Sequence, residues 1–210
     1  MSPAFADYLA RIAIWAPAFL VGISFHEFSH AFVAYLLGDD TAKRMGRLTL
    51  NPIAHFDFIG FLCLLVFGIG WAKPVSVNKS NFKYSKTYDA LTSLAGPFSN
   101  FLIAIVFLYV IKYFPSHLFS TAVALSFSQI FEALASINIM LGIFNLLPIP
   151  PLDGSHLITN LLEDRFPNFV FWIYKYSFII LLIFIYILPT MYFLNKLTYL
   201  TWFWLSKLVF

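Results

Sequence analysis

His26-Glu27-Phe28-Ser29-His30 is the arrangement in this chain best suited to chemistry. On a helix, residues four apart share a face, so the imidazoles of His26 and His30 can reach one metal ion. Glu27 sits beside them and can take a proton from a water on that metal. With this composition, the pattern is expected by chance on the order of 0.002 times. The five residues lie inside an apolar run, where each charged group at a helix centre costs roughly 2.5–3.5 kcal/mol. A divalent cation is the natural compensation. Catalytic zinc takes three protein ligands and keeps one position open for water, so a third ligand must come from elsewhere in the chain. His30 precedes Gly38 by one short stretch of helix, which puts the pair roughly 12–18 Å from that end. Asp153 suits this depth. It follows Asn145-Leu146-Leu147-Pro148-Ile149-Pro150-Pro151-Leu152, where prolines end a helix and let the chain dip into a bundle. Asp153 could equally cap the helix that follows it. Glu132, nearer the middle of its apolar run, is the competing ligand.

The elements that must hold these residues are set by composition. The chain has 210 residues, 60% hydrophobic, 20% aromatic and 11% charged, with mean hydropathy +0.82. Soluble domains carry about 25% charged residues, so this composition specifies a polytopic membrane protein and excludes a disordered chain. Cys63, the single cysteine, lies in an apolar run and allows no intrachain disulfide. A formal charge of +3 gives no reason to expect a nucleic-acid partner.

The expected fold is all-α, with about five to six transmembrane helices and a small re-entrant β segment near the site. The first span runs from about Tyr8 to Leu37, about 45 Å as helix, and reads as a retained signal anchor rather than a cleaved peptide. Arg47-Leu48-Thr49-Leu50 alternates polar and apolar, which predicts a short strand ended by Pro52. Phe58 to Gly70 would cover about 20 Å as helix, too little for a hydrocarbon core of about 30 Å, and reads as re-entrant. Tyr88 to Tyr113 and Phe119 to Leu147 read as the second and third spans in pattern and length. A short helix is expected from Asp153 to Leu162, a fourth span from Phe169 to Leu188, and a fifth span or interfacial helix from Thr190 to Phe210. The whole of 1–210 reads as one integral membrane domain, with a core of 8–165 carrying the site and 166–210 as accessory membrane helices. The loops at 43–47 and 73–86 hold seven of the thirteen Lys and Arg residues. If 58–70 is re-entrant, both lie on one side, and the positive-inside rule makes that side cytoplasmic.

Several blocks now combine. They are His26-Glu27-Phe28-Ser29-His30, Gly46-Arg47-Leu48-Thr49-Leu50-Asn51-Pro52, Gly70-Trp71-Ala72-Lys73-Pro74-Val75, Ala95-Gly96-Pro97-Phe98-Ser99-Asn100, and Asn145 through Leu152-Asp153-Gly154. In this order they resemble the site-2 protease family of intramembrane zinc metalloproteases, the short bacterial type without PDZ or CBS domains. The resemblance implies that His26, His30 and Asp153 bind one zinc per chain and that Glu27 is the catalytic base. It favours Asn145 as a hydrogen-bond donor to a substrate carbonyl or oxyanion, with helix capping as the alternative. Asn100, one helical turn after Gly96-Pro97, either orients the site or packs helices. The segment Arg47 to His55, including Asn51, is the expected substrate-facing strand, where an unwound helix could pair. His55 has a substrate-contact or structural role on this reading; His117 and His156 receive none.

The implied activity is peptide-bond hydrolysis in or near transmembrane segments of membrane-protein substrates, as in regulated intramembrane proteolysis. The implied location is a bacterial inner membrane, with the site nearer the cytoplasm and the bilayer and a transmembrane protein or peptide as partners. A metal-ion transporter is the first competitor, since intramembrane histidines and acids also mark ion paths. A transport path would place ligands on both sides of the membrane, whereas these motif residues gather on one. An inactive membrane scaffold is the second competitor, and it would not need Glu27 between two metal-binding histidines.

Overall fold

Apolar runs this long have no stable alternative to helix in lipid, where every backbone polar group must be satisfied internally. The computed structural model, which describes residues 2–67, 70–186 and 189–210, is built accordingly. Helix α1 spans Pro3–Leu36, followed by the short α2 (Thr41–Arg44), α3 (Pro52–His55) and α4 (Phe58–Phe67). Helices α5 (Ser85–Tyr113) and α6 (Thr121–Asn145) come next, then α7 (Ser155–Leu162), α8 (Pro167–Lys175), α9 (Ser177–Tyr186) and α10 (Thr190–Val209).

Three of these, α1, α5 and α6, are long and apolar enough to cross a membrane. The pair α8 and α9, bent by 63°, makes a fourth if it is one broken span. The expected five to six spans are therefore not reached by length and composition. Helix α4 has 10 residues, about 15 Å, and α10 carries Asn195, Lys196 and Lys207. The expected stretches 58–70 and 169–188 include residues 68, 69, 187 and 188, which lie outside the described residues.

The three long helices form the scaffold of the molecule and pack on one another, with α10 added against α5 and α6. Ala18, Phe19 and Ile23 of α1 bury themselves against Ala133, Ile137 and Leu141 of α6. Small side chains let the backbones approach closely without a large apolar driving force. Helix α1 stops at Gly38, whose φ of 104° is open to glycine and strained for most other residues.

The predicted strand at Arg47 to Leu50 is absent, and no strand occurs among the described residues. Four alternating residues have no neighbouring strand to pair with, so their backbone is satisfied locally. The Arg47 N–H donates to the Ala42 carbonyl (2.8 Å), and the Thr49 carbonyl accepts from the His55 ring (2.8 Å).

Residues 70–78 instead form an extended strap without regular structure. Four contacts hold it and the turn that follows. The Lys73 N–H donates to the His55 carbonyl (2.9 Å), and the Val75 N–H to Glu27 Oε2 (2.9 Å). The Asn78 N–H (2.7 Å) and the Asn81 side chain (2.7 Å) both donate to Asp39. Asp39 is fully buried just past the end of α1 and also accepts from the Thr41 hydroxyl. Burial alone would raise its carboxyl; the hydrogen bonds from Thr41, Asn78 and Asn81 outweigh that and hold it below the ordinary carboxylate value.

Candidate metal centre

His26 and His30 project from one face of α1, as their spacing requires, and both are buried. Their Nε2 atoms lie 3.0 Å apart. Asp153, in the turn between α6 and α7, brings Oδ2 to 3.0 Å from His26 Nε2 and 3.4 Å from His30 Nε2. Two segments more than a hundred residues apart in sequence thus meet at one point.

The hydrogen bonds behind the rings fix what this point can do. His30 Nδ1 is 2.7 Å from the Thr92 carbonyl, which can only accept, so Nδ1 carries the proton. His26 Nδ1 is 2.7 Å from Asn100 Oδ1. The orientation of that amide is set on its other side: Asn100 Nδ2 donates to the Gly22 carbonyl (3.0 Å) and to Asn138 Oδ1 (2.9 Å). Asn138 in turn donates through Nδ2 to the Leu134 carbonyl (2.7 Å). Both imidazoles therefore carry hydrogen on Nδ1 and present bare Nε2 lone pairs.

Asp153 Oδ2 is buried and receives no hydrogen bond. With both rings neutral, three lone pairs converge with no donor between them, an arrangement that a bound metal cation satisfies. Zinc bonds of about 2.0–2.1 Å to nitrogen and oxygen in tetrahedral geometry separate ligand atoms by roughly 3.3 Å. The observed 3.0–3.4 Å separations fit. His26, His30 and Asp153 are the group of metal-ligating side chains found among the described residues.

Helix α5 makes room for this. A Cβ on Gly96 would stand 2.5 Å from His30 Nε2 and 2.6 Å from His26 Nε2, so only glycine lets α5 pass this close to the Nε2 atoms. Pro97 has no N–H to give the Ser93 carbonyl, which interrupts the helical ladder next to the Thr92 carbonyl that holds His30.

The centre opens into a cavity of about 1110 Å³. Its walls include Glu27, the strap residues Trp71, Pro74 and Val75, and Asn145. Phe178, Leu182 and Ile185 of α9 line the apolar side opposite. Trp71 meets Phe178 edge-on at 6.4 Å, joining strap and α9 over the cavity.

The other residues singled out in the sequence fall in four places. Asn100 lies behind His26 and is fully buried. Asn145 lines the cavity, with its amide donating to the Leu141 carbonyl (3.0 Å) and its own carbonyl accepting from the Gly154 N–H (2.7 Å). Asn51 and His55 stand apart from the cavity lining. Asn51 is exposed and caps α3 by accepting from the Ile53 N–H (3.1 Å), while His55 is fully buried against Thr49. Glu132 lies on a separate cavity with Asp7, Arg11 and Trp15, away from the histidines. The Thr92 carbonyl, Asn138 and the Val75 N–H carry no local signature a sequence reading could use, although Asn138 is conspicuous as an amide inside an apolar run.

A buried, tautomer-fixed His-His-carboxylate set with an adjacent glutamate, in an open cavity inside a helical membrane bundle, defines a metal-dependent hydrolase. Comparison with known proteins agrees. Residues 115–187 match the family model described as Peptidase family M50. The chain is 41% identical over 166 residues to "Putative zinc metalloprotease YwhC" of Bacillus subtilis (strain 168), covering 78% of this chain and 76% of that protein. It is 29% identical over 156 residues to "Putative zinc metalloprotease Rip2" of Mycolicibacterium smegmatis, covering 70% of this chain and 57% of that one. It is 25% identical over 155 residues to "Zinc metalloprotease MJ0392" of Methanocaldococcus jannaschii, covering 72% of this chain and 36% of that one. No solved structure matches. The chain belongs to peptidase family M50 and is a membrane metalloprotease.

Proposed function

We propose that this chain is an intramembrane zinc metalloprotease of the site-2 type, cleaving peptide bonds in or near transmembrane segments of membrane-protein substrates. The observation that carries the reading is the meeting of three potential ligand atoms, His26 Nε2, His30 Nε2 and Asp153 Oδ2, within 3.4 Å of one another in a cavity of the membrane bundle. These three residues would hold one zinc ion. When bound, the zinc supplies a Lewis acid that polarises the scissile carbonyl and makes a water acidic near neutral pH.

The rest falls to the chain itself. Glu27 takes a proton from the attacking water and returns it to the leaving amine. The Val75 N–H, on Glu27 Oε2, orients that carboxylate before the substrate arrives. Asn100 and the Thr92 carbonyl hold the two imidazoles in the required tautomer. The apolar side chains of α9 exclude water from the side where a transmembrane substrate would lie. Asn145, at the cavity wall, is the candidate donor to the substrate carbonyl. Asn51 and His55 support the loop that anchors the strap. The basic loops at 43–47 and 73–86 favour a site opening toward the cytoplasm of a bacterial cell membrane.

The test is Glu27→Gln with the purified protein and a panel of synthetic transmembrane peptides. Zinc is retained, and cleavage falls by about 10²–10⁴-fold. Unchanged cleavage in the variant would remove Glu27 from the mechanism.

A further inference from the structure

Asp89 lies near the start of α5, buried, in the same cavity as the metal centre. Three donors converge on its Oδ2: His156 Nδ1 (2.9 Å), Lys79 Nζ (2.9 Å) and Asn160 Nδ2 (2.7 Å). Asn160 Oδ1 also accepts from Lys79 (3.2 Å), which fixes the amide's orientation.

A carboxylate can only accept, so His156 carries its proton on Nδ1. In the neutral ring, Nε2 is then a lone pair. That nitrogen has no protein partner among the described residues, and the ring lines the cavity. The imidazole is held firmly. Its backbone N–H donates to the Asp153 carbonyl (3.0 Å), so it sits on the turn that presents the third metal ligand. The Tyr174 ring packs edge-on against it at 6.5 Å, and the Tyr174 hydroxyl is tied to Thr159 (3.1 Å). A ring with one nitrogen fixed by a buried carboxylate and the other bare in a substrate-sized cavity is arranged to accept a hydrogen bond.

We propose that His156, oriented by Asp89, is a substrate-binding residue whose Nε2 accepts a hydrogen bond from a backbone N–H of the peptide in the cavity. This rests on the protease reading above. A transmembrane helix must be unwound before its peptide bonds can be attacked, and each unwound N–H then needs an acceptor in a site largely closed to water. His156 supplies one in the cavity that Glu27 and the metal ligands also line. Asp89 and Lys79 act through it: Asp89 fixes the tautomer, and Lys79 joins the strap to the same carboxylate.

The test is a double-mutant cycle between side chain and substrate. A transmembrane peptide from the panel that the wild-type protein cleaves is remade as a series of depsipeptides. In each, one N–H near the scissile bond is replaced by an ester oxygen. The series is cleaved by wild type, by His156→Phe, and by His156→Gln, which keeps a donor for Asp89. Both variants are expected to retain zinc and to lose about 2- to 13-fold in kcat/KM on the all-amide peptide. At one position the ester costs wild type a similar factor and costs the variants nothing. Equal ester penalties in wild type and variants at every position overturn the contact. Loss of zinc from both variants overturns it as well, since the role is then structural. Cleavage of no panel peptide by wild type overturns the protease reading and this contact with it.

Discussion

Asp153 and Asp89 are both carboxylates facing one cavity, yet their surroundings are opposite. Asp89 Oδ2 receives hydrogen bonds from a lysine, an amide and an imidazole N–H. Its charge is answered by the protein, and nothing further is needed to fold it. Asp153 Oδ2 faces two imidazole nitrogens whose protons are committed elsewhere, and it has no donor. An acid beside a histidine is therefore not enough to mark a metal site. The decisive feature is which ring nitrogen faces the carboxylate, and that is fixed by the groups behind the ring. The Thr92 carbonyl and the Asn100–Asn138 amide chain turn Nε2 of His30 and His26 toward Asp153, whereas His156 turns Nδ1 toward Asp89.

The largest effect expected from breaking this contrast is at Gly96. Gly96→Ala places a methyl within 2.6 Å of both Nε2 atoms, so the rings must leave their positions. Zinc affinity, measured by competition with a chelator, falls by more than about 100-fold, beyond the range of outer-shell changes. Asn100→Ala is milder. It frees the His26 tautomer while leaving the ligand in place, and zinc affinity falls by about 10- to 100-fold. A drop no larger than twofold would show that the amide chain only packs helices.

The smallest effect concerns the strap that carries the Val75 N–H. Asp39 has a folded-state pKa below its unfolded value. Its ties to Thr41, Asn78 and Asn81 therefore contribute stability that is present above the ordinary carboxylate value of about 3.9 and lost as pH falls through the folded pKa. Hydrogen exchange at the Asn78 N–H should accelerate only below that ordinary value, and in Asp39→Asn the acid dependence should flatten. Acceleration starting at neutral pH in the parent protein would assign the strap's attachment to another group.

Much of the geometry of the candidate metal centre is legible in the residues. The four-residue spacing of His26 and His30 fixes a shared face on any helix, and the run of prolines before Asp153 forces the chain off its helix at the required depth. The outer contacts were less legible. Thr92 contributes a backbone carbonyl, which no side-chain pattern announces, and Val75 contributes only its N–H. The fold diverged where local patterns were short. Four alternating residues at 47–50 were not enough to specify a strand without a partner, and the loop satisfied its own backbone instead. The bend between α8 and α9 falls at Tyr176, where neither glycine nor proline interrupts the apolar sequence. Beyond the bend, α9 lines the cavity. His156 carries no signature in the sequence, because its partner, Asp89, lies 67 residues away.

The contrast between the two carboxylates is tested most directly by metal analysis of three purified proteins: wild type, Asp153→Asn and Asp89→Asn. About one zinc per chain is expected in wild type and in Asp89→Asn, and well below that in Asp153→Asn after the same dialysis. Full zinc retention by Asp153→Asn, or equal loss from both variants, would contradict it.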